Sequence, residues 1–246
     1  MINQGIFEKA LANTISYILE NPLIYFSESD IHSIVYTRLG QEIPSIINPI
    51  ETSLTIGLNL KDKPSVKKYK TICIHREYGL NGFDYARSDI VIFDNKDVVK
   101  ITDPINLKIG KTKNDYIKPQ FVLEFGTEKS AGSASNFEEH LHSDIEKASS
   151  SKNYGYIIHI QRVYNRDNDL TKYKEFEIIL NKYIISKNQN VKLLFFLVSI
   201  GSNSVKIFRE GKVKMYKKEN KSIIGINMNE YIENIMSELL SQEKIF

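Results

Sequence analysis

The chain has 246 residues, of which 41% are hydrophobic and 26% charged, and its formal net charge is +3. A chain of this length can bury a full core, and the composition is ordinary for a globular protein. The sequence has no apolar run near the ~18 residues that a membrane-spanning helix needs and no secretory signal at its start. A lone cysteine, Cys73, excludes an internal disulfide and suits a reducing compartment. We therefore predict a cytoplasmic protein without a membrane segment.

The apolar pattern predicts helices and strands along the whole chain. In the first half these are a helix over 5–20, a helix from the N-cap Ser27 to Leu39, strands over 51–60 and 70–78, and strands over 89–93 and 120–125. In the second half they are a helix over 136–149, a strand over 154–163, a helix over 170–187, a strand over 191–200, a basic hairpin turning at Gly211 and a closing helix over 229–242. Alternating strands and helices predict an α/β fold, a central mixed β-sheet flanked by helices.

Basic residues cluster in three stretches, at 61–70, 96–118 and 206–221. Such stretches suit a surface that follows a phosphate backbone, although solvated loops and hairpin faces explain each of them equally well. The polar segment 94–118 is also long for a plain connection, and segments of that size are often functional or mobile.

Two acidic residues lie in apolar strands. Asp89 is in the run Arg-Ser-Asp-Ile-Val-Ile-Phe, and Glu124 is in the run Phe-Val-Leu-Glu-Phe-Gly. Moving a carboxylate out of water costs several kcal/mol unless a cation or metal compensates it. Asp89 has alternative explanations, as the cap of a turn or the partner of Arg87, but Glu124 has apolar neighbours on both sides. The pair predicts a metal site.

The order of these acids along the chain resembles a known family. Glu28 in an early helix, Asp89, Glu124, Lys129 and a helix with Asp-Ile-Glu-Lys at 144–147 together resemble the PD-(D/E)XK nuclease superfamily, which includes restriction endonucleases and junction resolvases. The resemblance covers residues 25–165 and depends on motif order in an α-β-β-β-α-β frame. It implies one domain over 1–246 with a restriction-endonuclease-like core, to which 166–246 adds the hairpin and the closing helix.

The resemblance also implies roles for these residues. Asp89 and Glu124 would bind Mg²⁺ or Mn²⁺ at adjacent strands where the sheet splays open. Lys129 would hold the attacking water or neutralise developing charge. Glu28 shares a helix face with Ile31 and would ligate a second metal or orient water, although a favourable interaction with its helix dipole explains it equally simply.

The sequence departs from the superfamily pattern at one position. The usual motif has lysine two residues after the acid, where this chain has Gly126. Glycine permits the chain to bend, so Lys129 is the preferred substitute. Lys147 on the following helix is the second choice, and loss of the lysine with slow or absent catalysis is the third.

Histidines contribute less to the prediction. Viral cap-snatching nucleases of this superfamily use a histidine ligand, but theirs belongs to an early helix. His75 is therefore expected either to support the site or face DNA, or to be a hydrogen-bonded core residue, and we favour the core residue. His140 and His142 are two positions apart on a predicted helix and point about 200° apart. They cannot chelate one ion, and we expect both to face solvent.

We therefore predict a metal-dependent endonuclease acting on double-stranded DNA, for which a homodimer would suit double-strand cleavage. The alternatives are an RNA endonuclease of the same fold and an inactive nucleic-acid-binding protein, which Gly126 favours. By charge alone, the 94–118 segment and the basic 206–221 hairpin are the expected DNA-contacting surface. The nucleic-acid-binding residues are expected to include Arg87, Lys147, Lys212 and Lys214.

Overall fold

The computed structural model describes most of the chain. The described residues are 2–56, 65–79, 87–99, 118–127, 134–163, 174, 176–182, 190–200, 204–209 and 212–217. Their helices are α1 (Gln4–Glu20), α2 (Glu28–Glu42), α3 (Asn95–Val98) and α4 (Ala134–Ala148), with a short 3-10 turn at Pro44–Ile46 and helical residues at 176–182. Their strands are β1 (Ile50–Ile56), β2 (Ser65–Thr71), β3 (Ile74–Gly79), β4 (Arg87–Ile92), β5 (Phe121–Thr127), β6 (Tyr154–Val163), β7 (Val191–Ser199), β8 (Ser204–Arg209) and β9 (Lys212–Lys217). Within these ranges, no helix combines the length and apolarity needed to cross a membrane.

Strands β3 to β9 form one seven-stranded mixed sheet in sequence order. β3, β4 and β5 are antiparallel neighbours, β6 and β7 run parallel to β5, and β8 and β9 return antiparallel. The parallel step from β5 to β6 needs a crossover connection, and α4 lies in it. The predicted α/β class with a mixed sheet and helices is therefore confirmed, and β8 with β9 confirms the predicted hairpin.

Two apolar clusters cover opposite faces of the sheet. One contains α1 and α2 side chains together with Phe125 of β5 and Ile158 of β6. The other contains Leu141 of α4 together with Ile157 of β6. Because successive strand residues point to opposite faces, α2 and α4 lie on opposite sides of the sheet. Both helices contact β4 and β5, so the two central acids lie between them.

Helix α2 begins with a capping box. The Ser27 side chain accepts a hydrogen bond from the Asp30 backbone N–H, and the Asp30 carboxylate accepts one from the Ser27 backbone N–H at 2.9 Å. These bonds satisfy donors of the first turn that have no partner inside the helix. The cap confirms the predicted helix start and fixes the position of Glu28, the first helical residue.

The predicted strand over 70–78 is wrong in one respect, because the chain there contributes to two different sheets. β2 ends at Thr71 and pairs with β1 as a separate antiparallel ribbon, whereas β3 begins at Ile74 in the main sheet. Between them, the Cys73 N–H donates to the Ile46 carbonyl at 2.9 Å, and the Cys73 carbonyl accepts from the Phe93 N–H at 2.9 Å. These long-range bonds turn the chain between β2 and β3. The two-residue alternation in the sequence gives no sign of them.

Several predicted features lie outside the described residues. They are the closing helix over 229–242, the Gly211 turn, residues 100–117 of the long polar segment and Lys129. Of the predicted helix over 170–187, residues 174 and 176–182 are described, and they are helical.

Candidate active site

Strands β4 and β5 part at the two acids. Their antiparallel pairing runs from Ile92 opposite Phe121 to Ile90 opposite Leu123, so Asp89 and Glu124 occupy the next pair of positions. There the Asp89 carboxylate accepts a hydrogen bond from the Phe125 backbone N–H at 2.7 Å. A side chain thus takes the donor of β5, and the two acids lie where the ladder opens.

Glu124 is completely buried, with 0% of its surface exposed. Its Oε2 lies 2.5 Å from the Lys147 amine, whereas its Oε1 has no hydrogen-bond partner within the described part of the chain. Burial, reinforced by the negative charge of Asp89, raises the pKa of the Glu124 carboxyl well above its ordinary value. Glu124 therefore has one oxygen paired with the Lys147 amine and one oxygen without a hydrogen-bond partner among the described residues.

Lys147 reaches this carboxylate from α4. Its amine also lies 3.0 Å from Asp144 Oδ1, three residues earlier on the helix. Burial disfavours the charged amine, but the Glu124 and Asp144 carboxylates outweigh that cost and raise the pKa of Lys147 above its ordinary value. The amine is a cation at neutral pH and lies inside the site. Its expected role in nucleic-acid binding stays a prediction.

Gly126 has a steric reason to be glycine. It pairs with His159 of β6, and a Cβ at position 126 would lie 2.3 Å from His159 Cε1. Such a contact requires something to move, since real Cβ atoms essentially never come that close. A lysine at the usual motif position is excluded by this ring, whereas the Lys147 amine reaches Glu124 from the helix.

The Gly126→Ala variant should be destabilised by about 1–3 kcal/mol, because an added methyl group overpacks the core against His159. Urea denaturation measures this loss. In a His159→Ala background the ring is gone, and the same glycine change should cost much less. Equal costs in both backgrounds would mean that His159 is not what position 126 must accommodate.

A second acidic group lies on the α2 side of Asp89. One ligand atom each of Glu28, His32 and Asp89 lie within 4.8 Å of one another, an arrangement able to hold a metal ion. His32 Nε2 lies 3.3 Å from Asp89 Oδ2, and its Nδ1 lies 3.8 Å from Glu77 Oε1. Asp89 therefore adjoins both this group and the Glu124–Lys147 pair.

Sequence reasoning missed His32. A signal existed, because His32 follows Glu28 by four residues and so lies one turn further along the same helix face. Its ring is almost fully buried, at 3% exposure, and packs against the Phe125 ring at a centroid distance of 5.6 Å. The capping box at Ser27 sets the rotation that turns this face inward.

Comparison with protein-family models, with curated proteins and with solved structures finds no match to this chain. The site's own geometry must therefore indicate its chemistry.

The remaining predicted binding residues lie on β4 and β9. Arg87, at the start of β4, is exposed. Lys212 and Lys214 belong to β9 at the far edge of the sheet. At ~4.8 Å per strand, β9 lies about 19 Å from β5. The hairpin and the acidic centre would contact one nucleic acid only if it spanned that distance.

The histidine predictions divide. The predicted hydrogen bond of His75 is confirmed, since its Nε2 lies 2.9 Å from the Ile72 carbonyl oxygen, but the residue is half-buried and does not belong to the core. Burial lowers the pKa of its ring. His142 faces solvent as predicted, with 60% of its side chain exposed. His140 is a correction, because its Nε2 is buried and lies 3.4 Å from Asp144 Oδ2. The helix turns that face towards β6.

Proposed function

We propose that this protein is a metal-dependent endonuclease that hydrolyses phosphodiester bonds in nucleic acid. The observation that carries the proposal is the buried Glu124–Lys147 ion pair beside Asp89, at the place where β4 and β5 part. Burying charges is expensive, and the arrangement leaves one Glu124 oxygen uncompensated. A site built at such cost is a strong candidate for function.

The order of elements supports a restriction-endonuclease-like core. α2 precedes three antiparallel strands, β3 to β5, and α4 then leads to β6, which runs parallel to β5. This is the α-β-β-β-α-β frame in which the superfamily places its acids. Lys147 takes the role of the motif lysine in our proposal, and Lys129, the first choice from sequence, remains a prediction.

The donor atoms suit a divalent metal. Glu124 Oε1 and both His32 nitrogens are buried without hydrogen-bond partners among the described residues. Mg²⁺ and Mn²⁺ both bind well to carboxylate oxygens, and an imidazole nitrogen in the ligand set favours the softer ion, Mn²⁺. Asp89 and Glu124 would hold the ion of the Glu124 side, and Glu28, His32 and Asp89 would hold one on the α2 side.

The reaction assigns separate tasks to the metal and to the protein. A bound metal would polarise the scissile phosphate and acidify the attacking water. Asp89 and Glu124 fix the position of that chemistry because both lie on sheet strands. The Lys147 amine stays protonated and donates to negative charge that develops on the phosphate oxygens. Glu28, in the first turn of α2, would ligate the ion on the α2 side together with His32 and Asp89.

Double-stranded DNA is our proposed substrate, and one observation favours the RNA alternative. His32 lies on an early helix, the place of the histidine ligand in the viral cap-snatching nucleases, whose substrate is RNA. Supercoiled plasmid and labelled single-stranded RNA, each incubated with Mn²⁺ or with chelator, separate the two. We expect cleavage of one substrate with Mn²⁺ only. Cleavage that persists in chelator, or no cleavage of either substrate, would contradict the proposal.

Metal binding should release a proton from Glu124. Because the pKa of this carboxyl is raised, Glu124 binds a proton more readily than an ordinary glutamate does, and a metal competes with that proton. Mn²⁺ affinity should therefore fall as the pH drops through that raised pKa. Titration calorimetry in two buffers of different ionisation enthalpy, repeated over a series of pH values, measures the number of protons released. The Glu124→Gln variant has no such proton, and an equal release from it would contradict this origin.

A further inference from the structure

A third group of potential ligands lies behind Lys147, away from Asp89. His140 and Asp144 are one helical turn apart on α4, and His159 projects from the neighbouring strand β6. His159 Nε2 lies 3.2 Å from Asp144 Oδ2, and His140 Nε2 lies 3.4 Å from the same oxygen. One ligand atom of each residue lies within 4.8 Å of those of the other two.

We propose that His140, Asp144 and His159 bind a transition-metal dication of the zinc class at a site distinct from the Asp89–Glu124 centre. This inference does not rest on the proposed nuclease function. Two imidazoles and one carboxylate form a ligand set that zinc commonly takes in proteins.

The spacing of the ligand atoms fits tetrahedral coordination. With metal–ligand distances of about 2.0–2.1 Å, neighbouring ligands of a tetrahedral zinc lie about 3.4 Å apart. The two nitrogen–oxygen distances, 3.2 and 3.4 Å, match that edge. The ligand atoms of the two histidines lie within 4.8 Å of each other and would approach each other when an ion binds.

The protein satisfies the polar atoms of this group only in part, because one hydrogen bond joins His159 Nε2 to Asp144 Oδ2. Neither His140 Nε2 nor His159 Nδ1 has a hydrogen-bond partner among the described residues, although both atoms are buried. Without a metal, a proton on His159 Nε2 makes the hydrogen bond to Asp144 Oδ2, whereas His140 Nε2 lies close to the same oxygen without one. A single dication bound to Asp144 Oδ2 could accept a nitrogen lone pair from both imidazoles.

Lys147 does not compete for the oxygen that both histidines approach. Its amine contacts the other oxygen, Asp144 Oδ1, at 3.0 Å, whereas Oδ2 has a hydrogen bond with His159 Nε2 that an ion would replace. The side chains of Asp144 and His159 are 1% and 0% exposed, whereas that of His140 is 30% exposed, although its Nε2 atom is buried. A water from the His140 side would be the fourth ligand.

Gly126 belongs to this design. Its missing side chain admits the His159 ring, which a Cβ would approach to 2.3 Å. An ion held by a helix turn and a sheet strand would fix Asp144, and through it the Lys147 amine. The same glycine that removes the motif lysine thus makes the histidine site possible.

The test uses Co²⁺ as a visible probe of tetrahedral sites and Zn²⁺ as its competitor. The metal-free protein should bind one Co²⁺ with the intense d–d absorption of a tetrahedral site, in addition to any Co²⁺ at the Asp89–Glu124 centre, and Zn²⁺ should displace it. His140→Ala should weaken this binding at least about 10–100-fold, because loss of a direct ligand costs no less than loss of a supporting contact. His142→Ala is the matched control, since His142 lies on the same helix and pairs with Glu146 in solvent.

Two further variants keep the outcome decisive. Asp89→Asn should retain the tetrahedral Co²⁺ spectrum, which would assign that spectrum to the histidine group. His140→Gln tests ligand loss with a side chain of similar size, and circular dichroism confirms folding. The proposal is overturned if wild type binds no Co²⁺ tetrahedrally, if both His140 variants bind it as tightly as wild type, or if only Asp89→Asn abolishes the spectrum.

Discussion

Asp89→Asn and Glu124→Gln should each lose Mn²⁺-dependent cleavage by at least about 1,000-fold, equivalent to about 4 kcal/mol of transition-state stabilisation. Each change removes a negative charge from the metal site and keeps the shape of the side chain. Asparagine at 89 can still accept the hydrogen bond from the Phe125 N–H, so the parting of β4 and β5 should persist. Initial rates on the preferred substrate, with folding followed by circular dichroism, measure the effect.

Glu138→Gln is the control for the loss of a carboxylate. Glu138 lies on α4, pairs with Lys182 at 3.3 Å and is 38% exposed, so its neutralisation should leave cleavage unchanged. If either Asp89→Asn or Glu124→Gln cleaves at the wild-type rate, that residue does not hold the catalytic metal. Equal losses in all three variants would indicate a general charge effect instead.

Lys147→Met should lose cleavage by about 100–1,000-fold, the usual cost of removing one preorganised donor to a developing oxyanion. It should also destabilise the metal-free protein, because removing one partner of a buried ion pair costs about 3–5 kcal/mol. The loss of stability should be smaller at low pH. Protonation of Glu124, whose pKa is already raised, removes the uncompensated charge there, so the deficit should grow as the pH rises.

Urea denaturation at pH 5.5 and pH 8 measures that trend. The control is Lys182→Met. The Lys182 side chain is 59% exposed and forms a surface pair worth at most about 1 kcal/mol at either pH. A deficit in Lys147→Met that does not change with pH would separate the lysine from Glu124. Retained cleavage in Lys147→Met, together with loss in Lys129→Ala, would restore the first choice made from sequence.

The acids could be predicted from sequence because their signal is local. A carboxylate inside an apolar strand is visible in six or seven residues, as at Asp89 and Glu124. The start of α2 was equally readable, since the capping box lies within Ser27 to Asp30. These features depend on the chain's immediate neighbours, and the structure places them where the pattern indicated.

The lysine and the histidines depended on distant residues. In the sequence, Gly126 indicates only that the motif lysine is missing. The reason that position 126 is glycine is the His159 ring, which lies on the next strand of the sheet. The position of Lys147 depends on how α4 rotates against β5, which helical period alone does not fix. The prediction that His140 faces solvent was wrong for the same reason, because the sequence does not show that its face of α4 turns towards β6.

Anomalous X-ray scattering from crystals soaked in Mn²⁺ tests most directly whether Asp89 and Glu124 form a metal centre. We expect a manganese peak about 2.1–2.3 Å from one oxygen of each carboxylate, with Glu124 Oε1 as the oxygen that Lys147 leaves available. A manganese peak that touches neither carboxylate, or none at saturating Mn²⁺, would contradict a catalytic metal at this place.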